Sequence, residues 1–158
     1  MHGGHRQNSG RYRVPCNACI RLGSASALNI LLDTQIWLWS FLEKQRIKKG
    51  LTAALEDPEN QLFLSPVSVW EAMVLFQKGN IQIASDPGIW IRQALAKGFV
   101  AEAAVTHEIA MHSRLIELPH HDPADRFIAA TALVSGFALA TSDKHLLNYR
   151  SIQTLPNR

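Results

Sequence analysis

Four acidic residues of this sequence, Asp33, Glu71, Asp125 and Asp143, are placed so that a folded chain could gather them into one cluster. Asp33 ends a short apolar run, and Asp143 follows another apolar run within two residues. Clustered carboxylates repel one another, which raises some of their pKa values unless a cation is present. An all-oxygen ligand set without His or Cys suits Mg²⁺ or Mn²⁺ rather than zinc. Such a cation polarises phosphate and activates water, so the pattern indicates phosphodiester hydrolysis.

Glu71 supplies the strongest physical argument of the four. It lies inside a predicted helix whose other residues from Val67 to Phe76 are almost all apolar. A carboxylate buried there is costly unless a cation or several hydrogen-bond donors compensate it. No Lys or Arg stands three or four residues away, and Lys78 is two turns further on. The sequence therefore predicts a functional role for Glu71, with a metal ion or a set of donors as its partner.

The three aspartates each fit a structural alternative as well. Asp33 and Asp143 both stand where a helix N-cap is expected. Asp122 fits an N-cap with Asp125 three residues later, which is a variant of the capping box. From the residues alone, capping and metal binding both remain open for these positions.

The elements that position these acids alternate between strand and helix. Short apolar runs predict strands, and helical periods with Ser, Thr or Asp caps and Pro at the first helical position predict helices. The predicted strands are Leu28–Leu32, Gln61–Leu64, Val100–Val105, Phe137–Thr141 and Ser151–Leu155. The predicted helices are Thr34–Lys44, Lys48–Glu56, Ser65–Gly79, Pro87–Lys97, Thr106–Leu115, Asp122–Gly136 and Lys144–Asn148. This order predicts an α/β domain, a three-layer sandwich whose mostly parallel sheet is covered by helices on both faces, with ligands bound at the carboxyl ends of the strands.

Residues 1–27 differ from the rest of the sequence in charge and pattern. They contain four Arg and no acidic residue, so residues 28–158 hold 12 basic and 13 acidic residues and carry a net charge of −1. The overall charge of +3 is therefore no argument for RNA binding by the folded domain. We expect residues 1–27 to be a disordered leader, with translation starting naturally at Leu28, and residues 28–158 to form one domain. Cys16 and Cys19 lie in this leader without a second pair, so a zinc site there is not expected.

No apolar run approaches the roughly 20 residues that a membrane span requires, and the N-terminus lacks a secretory signal. We expect a cytoplasmic protein without membrane contact.

Four stretches in sequence resemble the signatures of VapC-type PIN-domain toxins. They are LLDT (Leu31–Thr34), SPVSVWE (Ser65–Glu71), HDPADRFIAATA (His121–Ala132) and TSD (Thr141–Asp143). The resemblance covers essentially Leu28 to Leu155. It implies PIN topology, a ribonuclease dependent on Mg²⁺ or Mn²⁺, a homodimer, and neutralisation by a cognate VapB-type antitoxin.

The same resemblance assigns metal ligation to Asp33, Glu71, Asp125 and Asp143. Asp122 is an additional acid typical of this subgroup, and we interpret it first as a helix cap. Many relatives have His where this chain has Gln35, so no role is assigned to that position.

Hydroxyl groups near the acids are candidates for orienting them. Thr34, Ser68, Thr141 and Ser142 fit both hydrogen bonding to the carboxylates and helix capping. Arg126 fits a phosphate contact and an ion pair with an acid equally well. His120 and His121 suit a general base, but their loop position favours solvated surface. The four Trp residues are interpreted as core or interface rather than base-stacking platforms, and they are Trp37, Trp39, Trp70 and Trp90.

Two rival function classes fit part of this pattern. A haloacid-dehalogenase phosphatase requires a second Asp where Gln35 stands, and a receiver domain requires a pair of acids before its phosphorylated Asp, which we do not find. A PIN-fold RNA- or protein-binding module that has lost catalysis is the remaining alternative, and the presence of all four acids speaks against it.

Overall fold

The computed structural model describes residues 27–98, 100–119 and 122–158. The expectations for the leader, for Cys16 and Cys19, and for His120 and His121 lie outside these residues. The strands are β1 (Asn29–Leu32), β2 (Gln61–Leu64), β3 (Val100–Glu102), β4 (Ala138–Thr141) and β5 (Thr154–Pro156). The helices are α1 (Thr34–Leu42), α2 (Lys49–Glu56), α3 (Pro66–Gln77), α4 (Pro87–Lys97), α5 (His107–Leu115), α6 (Pro123–Ser135) and α7 (Lys144–Leu147), with a 3-10 turn at Lys44–Arg46.

The five strands form one parallel sheet in the order β3-β2-β1-β4-β5. From β1 the chain moves outward through β2 and β3 on one side, and it then crosses to β4 and β5 on the other. Strand order therefore reverses between β1 and β4, whose register pairs Leu32 with Ala140. In open parallel sheets a crevice forms at the carboxyl ends of the two strands that flank such a switch point.

Helices cover both faces of the sheet, as the sequence predicts. On one face, Ile30 and Leu32 of β1 pack into a core with α1, α2, α3 and α4. On the other face, the intervening Leu31 packs into a second core with α5, α6 and α7. The alternation of side chains along β1 thus separates the two cores, and the predicted three-layer sandwich is confirmed.

The helices near the crevice start and end where the sequence indicates. Ser65 caps α3 by accepting from the Val67 N–H at 3.2 Å, and Asp122 caps α6 by accepting from the Ala124 N–H at 2.9 Å. Gly136 ends α6 in the left-handed conformation at φ 67°, which glycine adopts without strain. Because α6 ends beside the start of β4, its first turn lies at the carboxyl edge of the sheet.

The outer strands are shorter than predicted. The region predicted as Val100–Val105 pairs only as far as Ala103, whose N–H donates to the Leu64 carbonyl, and the chain then turns into α5. At the other edge, turns closed by Tyr149 and Ile152 occupy the start of the predicted last strand, so β5 begins at Thr154. Among the helices of the described residues, none is long and apolar enough to cross a membrane.

Candidate active site

Asp33 lies at the carboxyl end of β1 and is only 5% exposed. Its N–H donates to the Ala140 carbonyl of β4 at 3.0 Å, and its Oδ2 accepts a 2.6 Å hydrogen bond from the Thr141 hydroxyl. Asp33 occupies the N-cap position of α1, but its side chain makes no capping hydrogen bond there. The pKa of Asp33 is raised to about 6, mainly by burial; the charges of Glu71 and Asp143 also raise it, and the Thr141 hydrogen bond lowers it.

Asp143 follows β4 by two residues and does cap a helix. Its Oδ1 accepts from the main-chain N–H groups of His145 at 2.7 Å and Leu146 at 3.0 Å, at the start of α7. Both of these bonds use the same carboxylate oxygen. The capping interpretation of Asp143 is therefore confirmed. Because a carboxylate has two acceptor oxygens, capping through one of them still allows Asp143 to bind a cation.

Glu71 lies one turn into α3, half-buried, on the helix that packs against α1. Its Oε2 is buried and has no hydrogen-bond partner among the described residues. Burial raises the pKa of Glu71. The nearby Thr34 hydroxyl lowers this pKa without reaching hydrogen-bond geometry, and Asp122 raises it. No Lys or Arg among the described residues therefore forms an ion pair with Glu71 to offset the cost of burying its carboxylate.

Asp125 lies in the first turn of α6 and has the most strongly raised carboxyl pKa of the described residues, at about 7. Burial is the main cause, and the charges of Asp33, Asp122, Glu71 and Asp143 each add to it. All the acids singled out by the sequence therefore act electrostatically on Asp125, so the fold has brought them to one place at the sheet edge.

The chemistry of this cluster fits a hard divalent cation. Its donors are carboxylate oxygens, and the buried hydroxyls of Thr34 and Ser68 also have no hydrogen-bond partner among the described residues. No three His, Cys, Asp or Glu side chains in this part of the chain have the arrangement of a complete metal site. Mg²⁺ keeps several of its waters and is bound by one or two carboxylates together with substrate phosphate, so it does not require such a cage.

The region that contains the four acids matches a known protein family. The match, to the PIN domain, extends over residues 30–151. The chain belongs to the PIN-domain family. Ribonuclease VapC22 of Mycobacterium tuberculosis (strain ATCC 25618 / H37Rv) is 32% identical to it over 124 residues, which are 77% of this chain and 92% of that protein. Within the PIN-domain family the chain is therefore of the VapC type.

Solved structures share the PIN fold with this chain. DNA-bound VapBC from Salmonella typhimurium aligns with a TM-score of 0.61 at 16% identity, covering 83% of this chain and 99% of that one. A toxin–antitoxin complex from Klebsiella pneumoniae aligns with a TM-score of 0.60 at 22% identity, covering 82% and 98%. At these identities the similarity concerns the fold alone.

Arg126 connects two helices of this PIN domain. Its guanidinium is buried and donates to the main-chain carbonyls of Ser113 at 3.0 Å, Ile116 at 2.8 Å and Arg114 at 3.4 Å. These carbonyls belong to the end of α5, where helix carbonyls lack partners within the helix. Arg126 thus ties the first turn of α6 to the end of α5 rather than pairing with an acid.

The hydroxyls that the sequence singled out differ in what they contact. Thr141 binds Asp33 as described, and Ser142 lies 3.5 Å from the Gln35 side-chain oxygen. Thr34 and Ser68 are buried on the facing sides of α1 and α3, beside Glu71. Of the four hydroxyls, only that of Thr141 forms a short hydrogen bond to an acid of the PIN site.

The tryptophans of the PIN domain divide between core and surface. Trp37 and Trp90 pack edge to face in one core, with ring centroids 6.1 Å apart, and confirm the core interpretation. Trp39 packs under the Arg46 guanidinium, 4.2 Å from its ring centroid. Trp70 is 54% exposed and borders an apolar cavity of about 430 Å³ between the first turns of α3 and α6. An exposed Trp70 was not apparent from its apolar helix, because periodicity does not distinguish a core face from an uncovered one.

Proposed function

We propose that this chain is a metal-dependent endoribonuclease of the VapC toxin type. Mg²⁺ or Mn²⁺ would be held by Asp33, Glu71, Asp125 and Asp143, and RNA phosphodiester bonds would be hydrolysed. The observation that supports this proposal best is the raised pKa of Asp125, to which every other acid of the cluster contributes. Acids placed in this way are destabilised when charged, and a divalent cation removes that cost. The name of the relative Ribonuclease VapC22 supports RNA as the substrate.

The chain's own residues would divide the work of hydrolysis. When bound, the cation would polarise the phosphate and lower the pKa of the attacking water. Asp33 and Asp143 are fixed by hydrogen bonds at the ends of β1 and β4, and they would hold one side of the site rigidly. Glu71, with its unpaired Oε2, would supply the opposite side from α3. Asp125 would complete the ligand set from the first turn of α6, where the charges of the other acids already act on it.

We propose a VapB-type antitoxin and a second copy of this chain as its protein partners. Solved structures of the same fold are complexes described as VapBC or as toxin–antitoxin. A gene next to this one that encodes a small DNA-binding protein with a disordered tail would identify the partner. Co-expression of the two proteins should yield a stable complex that no longer cleaves RNA, and the separate chain should run as a dimer in size-exclusion chromatography with light scattering.

A PIN-fold binding module without catalysis is the second candidate. One observation favours it: no three acids in the described residues already form a complete metal site. Such a module would bind RNA or protein equally well in the presence and absence of a chelator.

A cleavage assay separates the two candidates. The purified chain is incubated with structured and single-stranded RNAs in Mg²⁺, Mn²⁺ or EDTA, beside Asp33→Asn and Asp125→Asn. We expect cleavage that requires the cation and is lost in both variants. Asp86→Asn is the matched control, because Asp86 caps α4 at an exposed position and Asn caps equally well. Cleavage that survives both EDTA and Asp33→Asn would overturn the metal mechanism. No cleavage under any condition, with no growth arrest on expression, would favour the binding module.

A further inference from the structure

The Thr141 side chain connects two of the acidic positions of the site. Thr141 is the last residue of β4, is fully buried, and donates a hydrogen bond of 2.6 Å from Oγ1 to Asp33 Oδ2. The same Oγ1 accepts a hydrogen bond of 3.0 Å from the main-chain N–H of Asp143. The three residues therefore form a chain of hydrogen bonds that joins the ends of β1 and β4.

The direction of these two hydrogen bonds follows from which groups can donate a proton. A main-chain N–H can only donate, so the Thr141 oxygen accepts at the Asp143 side. A hydroxyl has a single proton to donate, and here that proton is directed at the Asp33 carboxylate. Of these three residues, only Thr141 has a side chain that accepts from one neighbour and donates to the other.

The backbone around Thr141 holds its hydroxyl in place. The Asp33 N–H binds the Ala140 carbonyl on one side of β4, and the Thr141 carbonyl accepts from the Asn157 N–H at 3.2 Å on the other side. Asp33 itself makes no side-chain cap to α1. The short bond from Thr141 therefore holds the Asp33 carboxylate from across the sheet, beside a weaker interaction with the main chain of Thr34.

We propose that Thr141 is a positioning residue for metal binding: its hydroxyl holds the Asp33 carboxylate in the orientation in which it binds the divalent cation. This inference rests on the proposed function, because it takes Asp33 as a ligand. Groups that hydrogen-bond a metal-binding side chain change metal affinity by about 10- to 100-fold when they are removed.

The test compares Mn²⁺ binding to the metal-free chain, measured by the electron paramagnetic resonance of free Mn²⁺, in wild type, Thr141→Val and Thr141→Ser. Val keeps the branched shape without the hydroxyl, and Ser keeps the hydroxyl. We expect the dissociation constant to rise by about 10-fold or more in Thr141→Val and to stay within about 3-fold of wild type in Thr141→Ser. Thr131→Val is the matched control. Thr131 is also fully buried, but among the described residues its hydroxyl binds only the Phe127 carbonyl of its own helix, at 2.7 Å. Thr131→Val should leave Mn²⁺ binding unchanged.

Unchanged Mn²⁺ binding in a folded Thr141→Val chain would overturn the positioning role, whereas wild-type protein that binds no Mn²⁺ would overturn the proposed function itself. Where Thr141→Val does not fold, Thr141→Cys replaces it. The Cys side chain matches Ser in shape, its thiol is a weak donor, and Mn²⁺ prefers oxygen ligands to thiols. Thr141→Cys should bind Mn²⁺ several-fold more weakly than Thr141→Ser, and equal binding by these two variants would overturn the proposal.

Discussion

The Arg126 guanidinium donates a 2.8 Å hydrogen bond to the main-chain carbonyl of Ile116, just beyond the last turn of α5. Arg126 directly follows Asp125 in the chain. The acid with the most raised pKa therefore lies on a helix turn whose next residue is anchored to a neighbouring helix end. This contact gives Arg126 a structural role, where the sequence alone left open a phosphate contact or an ion pair with an acid.

Replacing Arg126 should destabilise the fold. In Arg126→Met, the buried carbonyls of Ser113 and Ile116 lose their donor, which should lower the free energy of unfolding by about 2 kcal/mol or more. Urea unfolding measures this loss. Arg150→Met is the control at an exposed position and should change stability by less than about 0.5 kcal/mol. A fully stable Arg126→Met chain with weakened RNA binding would instead indicate a phosphate contact.

The stability of the metal-free chain should fall as the pH rises from about 4 to about 7. The pKa values of Asp33 and Asp125 are raised in the folded chain from 3.8 to about 6 and about 7, so the folded state binds their protons more tightly than the unfolded state. Their contribution favours folding at low pH and is lost as the pH passes through these values. Thermal unfolding in EDTA between pH 4 and 8 checks the direction, provided that wild type is compared with the Asn variants at each pH.

Asp33→Asn should therefore be more stable than wild type at pH 8 in EDTA, although we expect it to cleave no RNA. The neutral amide keeps an oxygen for the Thr141 hydroxyl and removes a buried charge. The gain is roughly 2 kcal/mol, since one pKa unit corresponds to about 1.4 kcal/mol. At pH 4 the two proteins should unfold at similar temperatures. A variant less stable than wild type at pH 8 would contradict the destabilising role of this charge.

Adding Mn²⁺ should reverse the destabilisation at high pH. A ligand present at 100 times its dissociation constant stabilises the folded state by about 2.7 kcal/mol, which raises the melting temperature. The rise should be larger at pH 8 than at pH 5, because protonated acids do not bind the cation. Glu71→Gln should reduce the rise strongly, and Glu56→Gln, at the exposed end of α2, should leave it unchanged. Equal rises in these two variants would exclude Glu71 as a ligand.

The two roles of Asp143 should be separable by two substitutions. Asp143→Asn keeps a cap acceptor for α7 but loses the charge, so it should fold with nearly wild-type stability and cleave RNA more slowly. Asp143→Ala also removes the cap for the His145 and Leu146 N–H groups, which should cost about 1 kcal/mol more. Melting temperatures and initial cleavage rates of both variants, measured side by side, distinguish the roles. Wild-type cleavage by Asp143→Asn would leave Asp143 as a cap alone.

The sequence was sufficient for the parts of this protein that depend on local pattern. The central strands β1, β2 and β4, the helices with caps at Ser65 and Asp122, and the placing of Asp33 and Asp143 after β1 and β4 all follow from periodicity and capping chemistry. The unusual setting of Glu71 was also apparent, because its apolar neighbours are adjacent in the chain.

Other features depend on tertiary contacts that no local pattern contains. The Thr141 hydroxyl meets Asp33 across 108 positions of the sequence, and Arg126 finds its carbonyls in a preceding helix. Whether Asp33 caps its own helix or turns toward β4 is decided by a strand that follows much later in the chain. The exposed Trp70 likewise depends on which helix surfaces remain uncovered.

The neighbouring positions of β1 and β4 in the sheet have a consequence for synthesis of the chain. Asp33 is made early, but its partner Thr141 is added to the growing chain 108 residues later. Long-range strand pairing of this kind forms late in folding. An incomplete nascent chain that ends before Ala138 would contain Asp33, Glu71 and Asp125 without the strand that joins them, and it should have no nuclease activity while it is still being made.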